Sequence, residues 1–376
     1  MSRESLDYHG HKCYTITKMT KKDEIFKMAN ANFHMEFIKV DTEREGMRLY
    51  DAKSAPLRLY GVFHDGKCYR RLPENVAEAT NPGVVGLSKN TAGGRVRFIT
   101  DSPYVFIKAV YNSAHVMTHM PLSGSSSFDM YVYEDGKEIY DSTFRAPMPE
   151  ETVGGYESIR DWGTRKMRTV NINFPLYNTV DELYIGLDEN AAVEPAPDYK
   201  YEKPIVFYGS SITQGGCASR PGTCYQGFVT RHFDINHVNL GFSGNARAED
   251  AIAEYIAGLD MSVFVYDYDH NAPTKEHLAQ THERMFGKIR EKNPTLPIIM
   301  MSRPKFKKSI DELSRFEIIK RTYENAKAEG DKNVYLIDGS ELCLDNENTV
   351  DSCHPTDYGF KCMADRLIKE LSKIIK

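Results

Sequence analysis

Residues 205–215 read IVFYGSSITQG, a short apolar run that glycine and serine interrupt at once. The run has the length and composition of a buried strand, and ligand sites in open α/β sheets lie where such strands give way to loops. Ser211 stands there among small residues that let a substrate approach the backbone, so it is a candidate nucleophile. The alternative interpretation is a tight turn whose hydroxyl groups cap the next helix.

After residue 204 the chain alternates between apolar strands and amphipathic helices. Strands are predicted at 205–208, 238–240, 263–266, 298–301 and 334–337, and helices near 224–233, 246–257, 275–292, 311–328 and at the C-terminus. This alternation predicts an α/β domain over residues 205–376, with a five-stranded parallel sheet between helices. Right-handed crossovers then place the carboxyl ends of all five strands at one edge of the sheet.

The first half of the chain has a different pattern. Residues 36–193 contain many short β-rich runs broken by turn residues, and no helix stands out among them. We therefore expect an antiparallel β-sandwich, with a jelly roll as the favoured version. Residues 1–35 are expected to form a lead-in segment, and residues 194–204 have the composition of a linker.

Composition excludes several classes of function. A net charge of −5 and a pI near 6.2 argue against a surface for nucleic acid or for an anionic membrane. No apolar run approaches the roughly 18 residues of a membrane span, and residues 1–22 lack the apolar core of a signal peptide. Seven cysteines without a CxxC pair fit a reducing compartment. We expect a cytoplasmic protein, or an exported one if a signal has been trimmed.

The loops at the predicted sheet edge carry the residues that acyl transfer requires. Ser211 follows the first strand, Gly244 the second and Asn271 the third, while Asp351 and His354 follow the fifth. A serine hydroxyl needs an adjacent base, which His354 can provide, and Asp351 can fix the tautomer of that imidazole. The amides of Ser211 and Gly244 and the side-chain nitrogen of Asn271 are candidate donors to the developing oxyanion.

In this order, each after a strand, the loops resemble the conserved blocks of the SGNH (GDSL-type) hydrolases. GSSIT at 209–213 matches the nucleophile block, with serine at 210 where aspartate is usual, and DSCHP at 351–355 matches the terminal DxxHP block. Gly244 matches the glycine block. Asn271 matches the asparagine block, although Asp269 and Ala272 depart from its common GxND pattern.

The first half resembles the β-sandwich domain that precedes the SGNH module in a subgroup of these esterases. The similarity lies in YRRLP at 69–73 and SFDMY at 127–131. Two-domain members commonly remove acetyl groups from plant polysaccharides. The resemblance therefore implies an acetylesterase acting on acetylated mannan or xylan oligosaccharides, with Ser211, His354 and Asp351 as the triad and with no metal or cofactor.

The same residues are compatible with two other classes of function. One is a lipid hydrolase, thioesterase or acyltransferase that handles another acyl group or acceptor. The other is a non-catalytic sugar-binding protein with a relic site, which the intact Ser/His/Asp set argues against. The α/β-hydrolase elbow GxSxG does not fit, because Thr213 stands at its last glycine.

Other polar residues give weaker signals. Asp267, Asp269 and Asn271 imitate the start of a calcium loop, but the glycine and glutamate that such a loop needs are missing. The single tryptophan, Trp162, could stack on a sugar ring or simply pack. Arg303 follows the fourth strand, where it could contact substrate or form a structural ion pair.

Overall fold

The computed structural model describes residues 45–305, 307–342 and 345–375. The predicted lead-in, residues 1–35, lies outside these ranges. The strands of the first half are β1 Met47–Asp51, β2 Arg58–Tyr60, β3 Phe63–His64, β4 Tyr69–Arg70, β5 Arg95–Thr100, β6 Tyr104–Val110, β7 Phe128–Glu134, β8 Lys137–Phe144, β9 Tyr156–Asp161, β10 Arg168–Asn173, β11 Glu182–Asp188 and β12 Val193–Pro195.

These strands form two antiparallel sheets that share one core. One sheet has the order β1-β11-β6-β9 and the other β12-β5-β10-β7-β8, with β2 beside β5 and β3 paired with β4. If β1 and β5 to β11 are counted as eight consecutive strands, the first, eighth, third and sixth form one sheet and the second, seventh, fourth and fifth the other. This is a jelly roll, as the sequence predicts.

The two faces of β5 show how this half meets the next. Val96 and Phe98 point into the sandwich core and are fully buried. Arg95 and Arg97 alternate with them on the opposite face, yet they are also buried. Arg95 donates to the backbone oxygen of His237 in the second half, at 3.0 Å. The outer face of this sheet is therefore an interface rather than a solvated surface.

The expectation that this half lacks helices is wrong. It contains α1 Glu74–Thr80, α2 Pro82–Leu87 and α3 Leu122–Ser125. Asn81 caps α2 by accepting from the Val84 amide at 3.0 Å. Ala77 and Val84 are buried in one cluster with Leu240 and Phe242 of the second half. Helices this short depend on tertiary packing, so local sequence signals do not reveal them.

The second half contains strands and helices in alternation: β13 Tyr201–Gly209, α4 Ser211–Gln214, α5 Tyr225–Phe233, β14 Ile235–Gly241, α6 Asp250–Ala257, β15 Val263–Asp267, α7 Lys275–Lys292, β16 Ile298–Met301, α8 Ile310–Ala328, β17 Val334–Ile337 and α9 Asp357–Leu371. The five strands are parallel, in the order β14-β13-β15-β16-β17. Helices cover both faces: Val206 and Tyr208 pack towards α6, α7 and α8, whereas Ile205 and Phe207 pack towards α5 and α9. The predicted α/β/α architecture is confirmed.

The segment predicted as a linker, residues 194–204, is partly strand. Val193–Pro195 pairs with β5 at the edge of the sandwich sheet, and β13 already begins at Tyr201. Proline suits an edge strand because its missing N–H faces no partner there. The proline-rich composition thus marks a strand edge and a five-residue connection, 196–200, rather than a longer linker.

The carboxyl ends of the three strands around β13 are level with one another. Gly209 is paired with Gly241 on one side and with Asp267 on the other. The chain order reverses at this point of the sheet, which is where open α/β sheets bind ligands. Glycine is required at Gly241, since a Cβ there would lie 2.2 Å from the Gln214 amide nitrogen.

Two further properties concern the described residues alone. Cys68, Cys217, Cys224, Cys353 and Cys362 are free thiols. Within the described ranges, none of the helices combines the length and apolarity that crossing a membrane would require.

Candidate active site

The turn after β13 separates the two serines by role. Ser210 is fully buried, and its hydroxyl caps α4 by accepting from the Ile212 amide at 3.2 Å. Ser211 is the first residue of that helix and is partly exposed. Ser210 is therefore the capping hydroxyl of the alternative interpretation, whereas Ser211 presents its hydroxyl to His354 and stays the candidate nucleophile.

Ser211, His354 and Asp351 form one hydrogen-bonded chain. Ser211 Oγ lies 2.8 Å from His354 Nε2, and His354 Nδ1 lies 2.8 Å from Asp351 Oδ2. The other carboxylate oxygen of Asp351 accepts from the backbone amides of His354, at 2.8 Å, and Cys353, at 3.1 Å. The backbone of the loop thus fixes the carboxylate of Asp351, and the carboxylate in turn orients the imidazole of His354.

The electrostatics of Asp351 favour this arrangement. Burial alone would raise the pKa of its carboxyl, but hydrogen bonds from the His354 backbone and imidazole outweigh burial and lower it. The ionised carboxylate accepts a hydrogen bond from Nδ1–H, which leaves Nε2 free to accept the Ser211 hydroxyl proton. About a third of the Asp351 side chain is exposed, so the site is open at this end.

The predicted oxyanion donors lie on loops that contact each other. Gly244 has φ +70° and open space where a Cβ would stand. Asn271 Oδ1 accepts from the Ala246 amide at 3.4 Å, which links the asparagine loop to the glycine loop. Because Oδ1 is engaged there, the Nδ2 group of Asn271 is the part of the amide left for a ligand. No described residue accepts a hydrogen bond from the Gly244 amide.

Gln214 connects the nucleophile helix, the glycine loop and the sandwich. Its side chain is fully buried. Oε1 accepts from the Ser243 amide at 3.0 Å, while Nε2 donates to Asn90 Oδ1 at 3.1 Å and to the Leu176 oxygen at 3.2 Å. The position of Gly244 therefore depends on residues of the first half.

Arg71 strengthens that connection. Its buried guanidinium donates to the oxygens of Leu87 and Gly241, both at 2.7 Å, and to those of Asn90 and Asn239 at 2.6 and 3.0 Å. Burial lowers the pKa of Arg71 to about 9. The YRRLP segment is informative in the sequence, but no local pattern shows that its second arginine reaches the end of β14.

Three residues beside the triad were missed by sequence reasoning, two from the sandwich and one from the turn after α4. Tyr177 donates to the backbone oxygen of Ser211 at 3.2 Å. The ring centroid of His119 lies 5.4 Å from that of His354. Cys217, from the turn after α4, is 5% exposed and adopts φ +72°. Burial raises the pKa of the Cys217 thiol to about 12, so the group is a neutral thiol.

Arg303 has a structural partner. Its Nε and Nη2 lie 3.1 and 3.0 Å from the two carboxylate oxygens of Asp269. Burial alone would raise the pKa of Asp269, but the hydrogen bonds and charge of Arg303 lower it. Of the two interpretations of Arg303, the structure favours the ion pair. Asp269, at the usual glycine position of its block, holds the loop that carries Asn271.

The structure does not bring Trp162 to the triad. Its indole nitrogen donates to Asp141 at 2.9 Å, and Arg168 lies 4.2 Å from its ring centroid. Trp162 follows the end of β9 that pairs with Tyr104, whereas the loop to His119 leaves the opposite end of β6. The seven residues of β6 separate those ends by roughly 20 Å. Of the two interpretations of Trp162, the structure favours packing within the sandwich.

Comparison with known proteins agrees with this two-domain fold. Residues 202–372 match the sequence profile of the GDSL-like lipase/acylhydrolase family, and residues 47–193 match that of the N-terminus of SGNH-hydrolase-type esterases. Residues 202–372, the α/β half, therefore belong to the GDSL-like lipase/acylhydrolase family. Membership makes the protein an esterase or acylhydrolase, as the sequence resemblance implies. No curated protein matches the chain significantly.

Several solved structures share the fold of this GDSL-like hydrolase over both halves. A protein from Bacteroides ovatus ATCC 8483 that carries the name GDSL-like lipase is 28% identical, with a TM-score of 0.78 over 87% of this chain and 98% of its own. The salicylyl-acyltransferase SsfX3 of a tetracycline biosynthetic pathway is 19% identical, with a TM-score of 0.72 over 88% and 98%. The acetyl xylan esterase Est2A of Butyrivibrio proteoclasticus is 13% identical, with a TM-score of 0.57 over the same shares. The last two identities establish likeness of fold alone.

Proposed function

We propose that this GDSL-like hydrolase is a serine esterase that removes O-acetyl groups from carbohydrates, with oligosaccharides of acetylated xylan or mannan as substrates. The observation that carries the proposal is the chain from Ser211 Oγ through His354 to Asp351, with both contacts at 2.8 Å. This geometry suits acyl transfer, because a serine is nucleophilic only when a positioned base removes its proton.

The acylation step of the proposed reaction forms an acetyl-enzyme. Ser211 Oγ attacks the ester carbonyl carbon while His354 Nε2 takes the hydroxyl proton. The carbonyl oxygen becomes an oxyanion facing the amides of Ser211 and Gly244 and the Nδ2 of Asn271. The carbon–oxygen bond to the sugar then breaks, and the His354 proton passes to the departing sugar hydroxyl.

The deacylation step regenerates the Ser211 hydroxyl. Water gives a proton to His354 Nε2 and attacks the acetyl carbon, and the second tetrahedral intermediate forms at the same donors. Its collapse releases acetate and returns the proton to Ser211 Oγ. Asp351 remains ionised throughout and stabilises the imidazolium that forms in each step.

Two features support a short acyl group on a large polar alcohol. The side chains of Asp351 and His354 are 36% and 18% exposed, so a polymer can reach the triad from solvent. His119, Tyr177 and Cys217, which lie beside the triad, are polar or small, whereas a long acyl chain requires apolar surface to cover it. The likeness in fold to Est2A, an acetyl xylan esterase, supports the same substrate class.

Mass spectrometry of acetylated xylo- and manno-oligosaccharides after incubation with the enzyme tests the proposal. Loss of one or more acetyl groups, with release of acetate, is expected from one or both sugar classes. Ser211→Ala should lose this activity. Ser210→Ala is the matched control, since it removes only the cap of α4 and should cost about 1 kcal/mol of stability while activity remains. Deacetylation by Ser211→Ala at the wild-type rate would remove Ser211 from the mechanism.

The runner-up is the same site acting on a different acyl group. The acyltransferase SsfX3, which shares the fold, motivates it. A panel of p-nitrophenyl esters with acetyl, butyryl, octanoyl and salicyl groups separates the two. The proposal predicts the highest kcat/KM for acetyl. A preference for the aromatic or octanoyl ester, with no loss of acetyl from either sugar class, would favour the runner-up.

A further inference from the structure

Three side chains from different parts of the fold meet beside Ser211. One potential ligand atom each from His119, Cys217 and His354 lies within 4.8 Å of the other two. His119 comes from the loop between β6 and α3 of the sandwich, Cys217 from the turn after α4, and His354 from the loop before α9. We propose that these three residues form an inhibitory binding site for Zn²⁺.

The ligand types fit this ion. Zn²⁺ prefers imidazole nitrogen and cysteine thiolate in tetrahedral geometry, with Zn–N of about 2.0–2.1 Å and Zn–S of about 2.3 Å. Cys217 is a neutral thiol before the ion arrives, so binding releases its proton to solvent and should strengthen as the pH rises. Ligand atoms at those distances lie roughly 3.4–3.7 Å apart. The ligand atoms of His119, Cys217 and His354, which lie within 4.8 Å of one another, therefore need to close by about 1 Å for all three to bind one ion. Three protein ligands leave the fourth position open for water.

The hydrogen bonds of His354 decide which of its nitrogens would bind. Nδ1 faces Asp351 Oδ2 at 2.8 Å, so Nε2 is the nitrogen available to an ion. A carboxylate behind the metal-binding histidine is a common arrangement, because it fixes the tautomer and raises the basicity of the ligand. Asp351 would thus serve the ion in the way it serves the proposed catalysis.

The backbone around Cys217 leaves room for the ligands. Cys217 has φ +72°, a conformation that few non-glycine residues adopt, and its side chain is almost fully buried beside the site. Its neighbour Gly216 has no side chain, and a Cβ there would lie 3.1 Å from His354 Cδ2. The imidazole can therefore turn without meeting a side chain at residue 216.

Binding of Zn²⁺ and proposed catalysis exclude each other. His354 Nε2 is the atom that must accept the Ser211 proton, and a nitrogen bound to an ion has no free lone pair for it. The inhibitory consequence rests on the proposed esterase function, whereas the binding itself does not. The two are therefore measured separately.

Isothermal titration calorimetry of the chelator-treated enzyme with Zn²⁺ tests binding. One ion per chain is expected, with an affinity reduced at least tenfold in Cys217→Ser and in His119→Ala. Cys353→Ser and Cys362→Ser are matched controls that remove other free thiols and should bind as the wild type does. Circular dichroism checks that each variant folds. Absence of binding to the wild type, unchanged binding in Cys217→Ser, or loss of binding in Cys353→Ser would each overturn the site.

Hydrolysis of p-nitrophenyl acetate with and without Zn²⁺ tests the consequence. The wild type should lose activity at the concentrations at which calorimetry shows binding and recover it when a chelator is added. The activity of each enzyme is expressed relative to its own metal-free rate. On that scale, Cys217→Ser should require at least tenfold more Zn²⁺ for half inhibition than the wild type does. Full activity of the wild type with the site saturated would overturn inhibition. An enzyme that binds Zn²⁺ but never hydrolyses an ester would leave the binding site standing and the proposed function contradicted.

Discussion

His119 of the β-sandwich lies beside His354 of the α/β half, with ring centroids 5.4 Å apart and ring planes inclined by 45°. Tyr177, also from the first half, donates to the backbone oxygen of Ser211, the proposed nucleophile. The candidate active site is therefore shared by both halves of the chain. The sandwich does more than pack against the α/β half, because it supplies groups that contact the triad.

The contact between Tyr177 and Ser211 leads to the first prediction. Tyr177→Phe removes a donor to the Ser211 oxygen at 3.2 Å while keeping the ring. We expect kcat for acetyl ester hydrolysis to fall about tenfold, because the nucleophile turn loses one of its fixed contacts and a small misplacement there is costly. The loss of one hydrogen bond should cost about 1 kcal/mol of unfolding free energy.

Tyr156→Phe is the matched control for that variant. The Tyr156 hydroxyl donates to the Phe144 oxygen at 2.6 Å, inside the sandwich. A similar loss of stability without a change in kcat is expected. Equal effects of the two substitutions on kcat would mean that Tyr177 acts only through general stability.

Asp351 gives the second prediction. Asp351→Asn keeps the size of the side chain but removes the negative charge that holds the proton on His354 Nδ1. We expect kcat to fall by about 10⁴-fold, as happens when a triad imidazole adopts the wrong tautomer. Stopped assays with p-nitrophenyl acetate measure the residual rate. Asp345→Asn, which changes a capping aspartate in the same connection, should leave kcat within about twofold.

The space beside His354 gives the third prediction. A Cβ on Gly216 would lie 3.1 Å from His354 Cδ2 and 3.0 Å from the Tyr177 hydroxyl. Gly216→Ala should therefore displace the imidazole from Ser211 Oγ by a few tenths of an ångström, and we expect kcat to fall by about 10- to 100-fold. Gly287→Ala, on α7 with nothing within 4 Å of the added Cβ, is the control. It should gain up to about 1 kcal/mol of stability without affecting kcat.

The two outcomes for Gly216→Ala are distinguishable. A fall in kcat with an unchanged melting temperature supports displacement of the imidazole. Unchanged kcat would show that the His354 ring tolerates the added methyl group, and the assignment of Gly216 as a residue that leaves room for it would then be wrong.

Local patterns and chain order account for the parts of this protein that the sequence predicts. The five parallel strands, the jelly roll and the residues of the Ser211–His354–Asp351 chain follow from periodicity, from turn signals and from the order of the family's blocks. These features are written within short stretches of chain. Asn271 is assigned as an oxyanion donor in the same way, despite the unusual residues Asp269 and Ala272 around it, and that role stays a prediction.

The parts that sequence reasoning missed are contacts between the two halves. Arg71 reaches the oxygen of Gly241, 170 residues away, and Tyr177 reaches Ser211 across 34 residues and a domain boundary. No periodicity or motif encodes such pairs, because they depend on how the folded halves pack. For the same reason the sequence left Trp162 open between a sugar contact and packing, and only the folded structure shows its contacts with Asp141 and Arg168.

Asp267 at the end of β15 and Asp269 just after it provide the last prediction, because their pKa values are shifted in opposite directions. Burial, followed by the charge of Asp269, raises the pKa of Asp267 well above its usual value of 3.8. The folded state therefore holds the proton of Asp267 more tightly than the unfolded chain does. The associated stability is present below about pH 3.8 and is lost as the pH rises through the folded pKa. Asp267→Asn cannot ionise, so its melting temperature relative to wild type should increase from pH 4 to pH 9.

The stability contribution of Asp269 should depend on pH in the opposite way. Its pKa is lowered, despite burial, by the hydrogen bonds and charge of Arg303, so its stability contribution is present above pH 3.8 and is lost as the pH falls through the folded pKa. Asp269→Asn leaves Arg303 without its anionic partner and should cost about 3–5 kcal/mol at pH 7. The difference from wild type should shrink towards pH 3. Thermal unfolding of both variants across this range provides the measurement, and parallel pH profiles for the two would contradict the opposite environments assigned to these neighbouring carboxyl groups.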